Sequence, residues 1–322
     1  MKRLYLIRHG ETLENEAGIM IGTGPGNLSE KGITQTKMLA DHLQKFDLNL
    51  IISSPLKRAR ETSEIINRSL NLPVIFSDII VERELGELSG IMRSDWERLW
   101  EMQEDKINFR PAGGESYMDI LTRVKLFLEY ISGLNEENIL VVTHGRFLKI
   151  LLNHLKGEDL LKPIAQDNCC INVLTYDDNF RIQTENFSFN ETTKHYAGAL
   201  VVKDGKVLLG LRPIISGIKY PGFWSTFGGR VECGENARQA VMREINEELG
   251  VNAVNCRLFL QHPHLEYTNI FRHMYICELD EYTNFKYTEE IDSRWFGKND
   301  YAAPKLTPST RYCMDLFFKI SP

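Results

Sequence analysis

A single stretch decides how the second half of this chain folds: Gly229-Arg-Val-Glu-Cys-Gly-Glu235-Asn-Ala-Arg-Gln-Ala-Val-Met-Arg243-Glu244-Ile-Asn-Glu247-Glu248-Leu-Gly250-Val251. It begins as a polar loop and continues as a helical pattern that ends at Gly250, where a helix C-cap is expected. The apolar residues recur at the spacing of one buried helix face: Ala237, Ala240, Val241, Ile245 and Leu249. We therefore predict a loop followed by an amphipathic helix.

The polar side of this helix carries Glu244, Glu247 and Glu248 at positions i, i+3 and i+4. At that spacing the carboxylates project from one side and converge. Converging carboxylates repel one another, and hard divalent cations such as Mg²⁺ or Mn²⁺ suit such oxygen ligands. A solvated acidic helix face is the alternative for an arbitrary sequence of this kind.

The complete spacing resembles the signature of the Nudix hydrolase family: Gly, five residues, Glu, seven residues, Arg-Glu-apolar, one residue, Glu-Glu, one residue, Gly-apolar. The resemblance implies that Arg243 pairs with Glu235 to brace the loop. It implies a set of metal ligands, namely Glu244, Glu247, Glu248 and the carbonyl of Gly228, with Glu247 also placed in the catalytic chemistry. In many Nudix enzymes a further glutamate stands six residues before a Trp. Glu289 fits this position relative to Trp295, with Glu290 or a solvated acidic turn as the alternatives.

Length and composition describe two ordinary globular domains. The chain has 322 residues, of which 43% are hydrophobic and 25% charged, with a net charge of −6. No basic footprint of a nucleic-acid binder is visible, and no apolar run is long enough for a membrane span. The amino terminus leads straight into a strand pattern without a signal-peptide pattern, and the six cysteines show no disulfide framework. These features lead us to expect a cytoplasmic protein that acts on small molecules, without nucleic-acid or membrane partners.

The amino-terminal half places basic residues after three short strand patterns. Arg8-His9-Gly10 follows the first pattern, Arg58 follows a strand at 50–52, and His144 follows a strand at 139–142. Helical stretches near 30–44 and 116–132 separate them, as in an α/β sheet whose sites lie at the carboxyl ends of the strands. Two guanidiniums can clasp phosphate oxygens, and a neutral imidazole among them can attack phosphorus. Ordinary buried histidines are the alternative.

These motifs resemble the histidine phosphatase family and its three-layer α/β phosphoglycerate mutase-like fold, over residues 1–187. The resemblance implies that His9 is the nucleophile that becomes phosphohistidine. It also implies that the phosphoryl oxygens are bound by Arg8, Arg58 and His144, assisted by Asn15. The proton donor of the family lies in a segment that ends in Gly, which here is Val81-Glu82-Arg83-Glu84-Leu85-Gly86. We choose Glu82 as the donor, with Glu84 as the competitor.

The insertion between Gly90 and Gly113 is short for a mutase, and a Gly-Gly-Glu-Ser segment follows it as in the smaller phosphatases. Hydrolysis is therefore favoured over phosphoryl transfer between substrates. Trp96 and Trp100 in this insertion are expected to pack the lid, although they could also stack on a base.

The second domain is expected over residues 195–322, after a join near 187–194, as an α/β/α Nudix sandwich. It opens with a hairpin whose Lys203-Asp204-Gly205-Lys206 turn separates two apolar runs. Arg212 and Trp224 precede the signature and are candidate substrate-binding residues. The approach to the signature resembles the branch that cleaves nucleoside triphosphates, but Phe227 stands where that branch has Pro. No phosphatase cofactor is expected.

The two chemistries are complementary, because a Nudix enzyme leaves a phosphomonoester and a histidine phosphatase removes one. We therefore predict a bifunctional hydrolase that acts on a nucleoside diphosphate linked to some group X. The alternatives are a phosphatase of a separate sugar or ribazole-type phosphate beside an independent nucleotide-sanitising Nudix domain, or one domain serving as a regulatory module. Nudix domains often dimerise, so a homodimer is also expected.

Overall fold

A computed structural model describes residues 1–280, 282, 285 and 292–320 of the chain. By its internal contacts the chain divides into two compact units. The first comprises residues 1–44 and 48–190, and the second comprises residues 45–47 and 191–322. No helix among the described residues is long and apolar enough to cross a membrane.

The first unit is built on a mixed sheet whose strand order, over residues 1–190, is β4-β3-β6-β1-β7-β8. The first four strands in that order run parallel, and β7 and β8 are antiparallel to their neighbours. The strands are β1 (Lys2–Arg8), β3 (Leu50–Ser53), β4 (Val74–Phe76), β6 (Asn138–Thr143), β7 (Ile171–Tyr176) and β8 (Phe180–Phe187), with a separate short pair of β2 (Ile19–Met20) and β5 (Ile91–Met92).

Helices cover both faces of this sheet. On one face, Leu4 and Leu6 of β1 belong to a core cluster with Phe127 and Phe147. Tyr5 and Ile7 point to the opposite face, because side chains alternate along a strand, and they are fully buried as well. The helices are α1 (Leu13–Glu16), α2 (Glu30–Leu43), α3 (Lys57–Leu70), α4 (Arg93–Glu101), α5 (Tyr117–Gly133) and α6 (Gly145–Lys156), with short 3₁₀ turns at Asp78–Ile80 and Gly86–Leu88. The predicted three-layer α/β fold is confirmed.

The second unit is a sheet between two helices. Among the described residues the main path of the sheet is β11-β10-β9-β14-β13, with β12 paired to β9 and β15 paired to β10. Its strands are β9 (Lys194–Lys203), β10 (Lys206–Leu211), β11 (Trp224–Ser225), β12 (Phe227–Arg230), β13 (Ala253–Pro263), β14 (Ile270–Leu279) and β15 (Ser293–Phe296), and its helices are α7 (Ala237–Leu249) and α8 (Pro308–Ile320).

Strand β9 shows why this sheet needs a helix on each side. Ala199 and Val201 pack in one core cluster with α7, whereas Leu200 packs in another cluster with Met314 and Phe317 of α8. Because successive side chains of a strand point to opposite sides, both faces of the sheet are buried. The predicted α/β/α sandwich is confirmed. The hairpin turn has positive φ at Asp204 (48°) and Gly205 (69°), as a two-residue hairpin loop requires.

Candidate active sites

Parallel strand pairing brings three chain segments together in the first unit. Strands β3, β6 and β1 are neighbours and run in the same direction, so the residues that follow them meet at one edge of the sheet. His9 follows β1 and His144 follows β6, and their ring centroids are 5.1 Å apart. Ser54 follows β3, and its Oγ is hydrogen-bonded to His144 Nε2 at 2.8 Å.

The hydrogen bonds of His9 define its tautomer. Nδ1 lies 2.8 Å from the carbonyl oxygen of Gly10, which can only accept, so Nδ1 carries the proton. Arg58 Nε donates to His9 Nε2 at 3.2 Å, so Nε2 is the unprotonated nitrogen. Burial, followed by the charges of Arg58 and Arg8, holds the pKa of His9 well below its usual value. The result is a neutral imidazole with its lone pair on Nε2.

The two arginines are fixed by backbone oxygens. Arg58 donates to the carbonyls of Gly22 (2.7 Å) and Gly24 (2.9 Å), and Arg8 Nη1 donates to that of Gln166 (2.8 Å). Arg8 Nε and His144 Nδ1 are buried without a hydrogen-bond partner among the described residues. Such atoms are rare in a folded protein, and each needs an explanation.

A cavity of about 130 Å³ opens beside His9, and among its lining residues are Arg8, Asn15, Arg58 and Glu82. The structure therefore brings together five of the six residues that the sequence assigned to phosphoryl chemistry. The sixth, His144, does not line this cavity but contacts His9. Asn168, which the sequence analysis did not identify, donates to the His9 carbonyl at 2.9 Å and to Asn15 Oδ1 at 3.4 Å.

The two candidate proton donors have different surroundings. Glu82 lines the cavity, and its Oε2 accepts from the backbone N–H of Arg146 at 3.2 Å. Glu84 instead accepts from Thr23 Oγ1 and from the Gly86 N–H. Burial acts to raise the pKa of Glu84, but these hydrogen bonds lower it overall. Glu84 is therefore held as an ionised structural carboxylate, away from the cavity.

The lid aromatics pack around a buried arginine. Trp96 and Trp100 stack at 5.7 Å, and Trp100 stacks on Tyr117 at 5.0 Å. The guanidinium of Arg83 lies over these rings, 5.1 Å from Trp96 and 4.9 Å from Tyr117. Trp96 also lines the cavity. Both tryptophans therefore pack against other lid residues in this structure, as predicted, and base stacking is not tested.

In the second unit, Arg243 organises the loop before α7. It makes a bidentate pair with Glu235 through Nη2 (2.8 Å) and Nε (3.2 Å), and Nη1 contacts Glu244 (2.8 Å) and Glu247 (2.9 Å). Pairing with Arg243 lowers the pKa of Glu235 and raises that of Arg243. Burial is the main reason why the pKa of Glu244 is raised.

Two adjacent glycines have no side chain, so the carboxylates of Glu244 and Glu248 can lie close to the main chain. Gly228 has φ of 130°, and a Cβ there would lie 2.2 Å from the Ala197 carbonyl oxygen. A Cβ on Gly229 would lie 2.3 Å from Glu244 Oε1. The Gly228 N–H donates to Glu248 Oε2 at 2.9 Å. At Gly228 the obstacle is backbone, so no larger residue fits there.

A cavity of about 370 Å³ lies next to this loop and includes Gly228 in its lining. Arg212 lines it, with Nε bonded to the Lys219 carbonyl at 3.0 Å. Trp224 does not line it, and its ring packs edge-on against Phe296 at 5.1 Å. Further lining residues that the sequence analysis did not identify are Lys219, Tyr220, Glu266, Tyr267 and Arg272.

Comparisons with known proteins match each half of the chain to a domain family. A model of the histidine phosphatase superfamily (branch 1) matches residues 4–187, which is more than half of the chain. The chain belongs to the histidine phosphatase superfamily. A NUDIX domain model matches residues 193–317, so this histidine phosphatase carries a NUDIX domain after its first domain.

Phosphatase relatives and solved phosphatase structures match about half of the chain. Phosphoserine phosphatase 1 of Hydrogenobacter thermophilus is 35% identical over 185 residues, which cover 54% of this chain and 86% of the relative. The adenosylcobalamin/alpha-ribazole phosphatase of Escherichia coli is 32% identical over 169 residues, which cover 48% of this chain and 79% of the relative. The crystal structure of the alpha-ribazole phosphatase from Shigella flexneri aligns with a TM-score of 0.53 and 26% identity, covering 57% of this chain and 96% of that one.

NUDIX domains generally use divalent metals, and the donors present here fit a hard cation. They are the carboxylates of Glu244 and Glu248, which lie against the backbone of Gly229 and Gly228, and that of Glu247, which is bonded to Arg243. Within the described part of the chain, however, no three His, Cys, Asp or Glu side chains are gathered as a ready metal cluster. Arg243 bonds to two of these carboxylates instead and partly balances their charge. The predicted ligand Glu289 and its alternative Glu290 lie outside the described residues.

Proposed function

We propose that this histidine phosphatase is a bifunctional hydrolase, with a phosphatase domain at 1–187 and a Nudix hydrolase domain at 195–322. The first domain would release phosphate from a phosphomonoester. The second would cleave the diphosphate of a nucleoside di- or triphosphate, or of another nucleoside diphosphate linked to a group X. The observation that carries the proposal is a neutral His9 imidazole held beside two buried arginines, in a chain that also contains the complete glycine-and-glutamate loop braced by Arg243.

In the phosphatase domain, His9 Nε2 attacks phosphorus while the ester P–O bond breaks. Glu82 gives its proton to the departing oxygen, and Arg8, Arg58 and His144 hold the phosphoryl oxygens. The unpartnered Arg8 Nε supports this assignment, because a bound phosphoryl group would supply the missing acceptor.

A water molecule then completes the reaction. The Glu82 carboxylate takes one proton from the water as its oxygen bonds to phosphorus, and the N–P bond to His9 breaks. Inorganic phosphate leaves, and both side chains return to their starting protonation states. Asn15 borders the cavity, where its amide would help to orient the phosphoryl group.

The placement of the two glutamates leads to a prediction about the proton donor. We expect Glu82→Gln to slow hydrolysis of an alkyl phosphate by about 10²-fold or more, and that of an aryl phosphate much less, because an aryl oxide leaves without a proton. Glu84→Gln is the matched control and should change the ratio of the two rates by less than about threefold. Steady-state kinetics with both substrates checks this, and a selective loss in Glu84→Gln would reverse the assignment.

In the Nudix domain we propose that Glu244, Glu247, Glu248 and the Gly228 carbonyl hold Mg²⁺ or Mn²⁺. When bound, the metal would neutralise the diphosphate and make water a better nucleophile. Glu247 would accept the proton of the attacking water as the bridging P–O bond breaks. Arg243 would keep the loop and the helix in place, and Arg212 would contact the substrate from the cavity wall. The packing of Trp224 on Phe296 leaves that residue out of the proposed site.

We propose that the two reactions act in sequence on one nucleotide-linked metabolite, because the product of the second domain is of the class consumed by the first. The test is a phosphate-release screen of nucleoside di- and triphosphates, ADP-ribose, dinucleoside polyphosphates and simple phosphomonoesters, with Mg²⁺ and with chelator. A triphosphate should yield free nucleoside in the wild type and accumulate monophosphate in His9→Ala. Unrelated substrates for the two domains would refute the sequential pathway.

The relatives favour one alternative, in which the phosphatase acts on its own phosphomonoester. Their names refer to phosphoserine in one case and to adenosylcobalamin and alpha-ribazole in the other. In that case the screen should find a phosphomonoester that is hydrolysed in chelator and unrelated to any Nudix product. A regulatory module, the remaining alternative, would show no turnover in one domain with any substrate.

We also propose that the protein works in the cytoplasm as a homodimer, on small molecules and not on nucleic acid or membranes. All six cysteines are free thiols, which is the usual state in a reducing compartment. Light scattering at micromolar concentration tests the dimer, and a mass equal to one chain would contradict it.

A further inference from the structure

The phosphatase cavity has a large excess of positive charge. Its lining includes a single carboxylate, from Glu82, among the residues that the structure describes. Against it stand six cationic side chains: Arg8, Arg58, Arg83, Arg93, Arg146 and Lys149. A phosphoryl dianion at His9 would balance only part of this charge.

Three of the six cations already have an evident role. Arg8 and Arg58 lie at His9. Arg83 is held in the lid, where it donates to the carbonyls of Phe109 (2.9 Å) and Glu115 (2.8 Å) and lies over the aromatic rings. Arg93, Arg146 and Lys149 are left without a part in the proposed reaction.

Two of the remaining cations share one helix face. Arg146 and Lys149 stand at i and i+3 on α6, which begins directly after His144, so their side chains lie one turn apart beside the phosphoryl site. The Arg146 guanidinium lies 5.0 Å from the centre of the Tyr117 ring, which limits its orientation. Arg93 is the first residue of α4 and reaches the same cavity from the lid.

None of these three side chains has a carboxylate within ion-pair distance over residues 1–190, all of which are described. Burial, followed by the charges of Arg146 and Arg8, lowers the pKa of Lys149. Arg146 and Lys149 are half-buried, whereas Arg93 is exposed. Neighbouring like charges repel one another, more strongly where they are partly desolvated, and an anion placed among them relieves that repulsion. The wall therefore fits an anionic ligand group.

We propose that Arg93, Arg146 and Lys149 form a second anion subsite, and that the substrates of this phosphatase are phosphomonoesters carrying a second anionic group. The group is a carboxylate or a second phosphate, since both match a guanidinium and an ammonium. The three residues determine specificity and take no part in bond breaking. The inference rests on the proposed phosphomonoesterase activity.

The test compares matched substrates in the full chain. The carboxylate arm pairs O-phosphoserine with O-phosphoethanolamine, and the phosphate arm pairs a nucleoside 3′,5′-bisphosphate with the 5′-monophosphate. We expect kcat/KM to favour the doubly anionic member at least about tenfold in one arm. Arg146→Gln and Lys149→Gln should each bring that ratio most of the way to one, whereas Lys37→Gln, an exposed lysine outside the cavity, should leave it unchanged.

The two hypotheses can fail separately. Ratios near one in both arms, or ratios that the Arg146 and Lys149 variants leave intact, would overturn the subsite while His9-dependent hydrolysis stands. If no monoester is hydrolysed, the binding of the same four compounds to the His9→Ala variant is measured by calorimetry. This measurement tests whether the subsite exists without requiring catalysis. Equal binding within each pair would then refute it, and a preference that Arg146→Gln removes would support it.

Discussion

His9→Ala is expected to abolish phosphomonoester hydrolysis, with kcat falling by at least about 10³-fold. The reason is that no other described group in the cavity combines a neutral side chain with an unprotonated nitrogen. Nε2 of His9 is that nitrogen, because Nδ1 donates to the Gly10 carbonyl and Arg58 donates to Nε2. The measurement is phosphate release from an aryl phosphate in the presence of chelator.

Two controls separate loss of the nucleophile from damage to the fold. His154→Ala changes a half-buried histidine on α6 that does not line the cavity, and it should keep full activity. Rapid acid-free quenching with labelled substrate should trap a phosphorylated wild-type chain and an unlabelled His9→Ala chain. A variant that retained a tenth of the wild-type rate, or that still became labelled, would place the nucleophile elsewhere.

Glu248→Gln is expected to lower the metal-dependent cleavage of a nucleoside diphosphate compound by about 10²-fold or more. The substitution removes a negative charge from the proposed ligand set but conserves size and shape. The amide oxygen of the substituted side chain can still accept from the Gly228 N–H, the 2.9 Å bond that anchors the glutamate in the wild type. A folding defect is therefore not the expected cause of the loss.

The effect should be confined to the second domain. Glu278→Gln, an exposed glutamate on β14, is the matched control and should leave the cleavage rate unchanged. Chelator should abolish the diphosphate cleavage of the wild type, while the phosphomonoesterase continues. A Glu248→Gln enzyme with wild-type rate and wild-type metal requirement would show that this carboxylate is not a ligand.

The sequence by itself determined the two families and predicted most of the residues that are proposed to react. Local chemistry was sufficient for the helix Ala237–Leu249, because its apolar spacing and the αL glycine at its end are properties of neighbouring residues. The same holds for His9 and His144, since strand ends carry short motifs that remain recognisable without the fold.

Only the tertiary structure decided between residues that look alike along the chain. Glu82 and Glu84 are two positions apart, yet one faces the cavity and the other is bound by Thr23, a residue far away in sequence. The same applies to Trp224, whose ring packs on Phe296 instead of lining the cavity. Contacts of this kind depend on how distant elements pack, which periodicity does not encode.

The excess charge of the phosphatase cavity was also invisible in the sequence. Arg93 lies on the lid helix, whereas Arg146 and Lys149 lie on α6, and none of them belongs to a motif. They become one group because α6 starts at the end of β6 and the lid faces the same opening. Residue type and spacing thus predicted the two families and their chemistry, while packing in three dimensions decided which charges line the cavity.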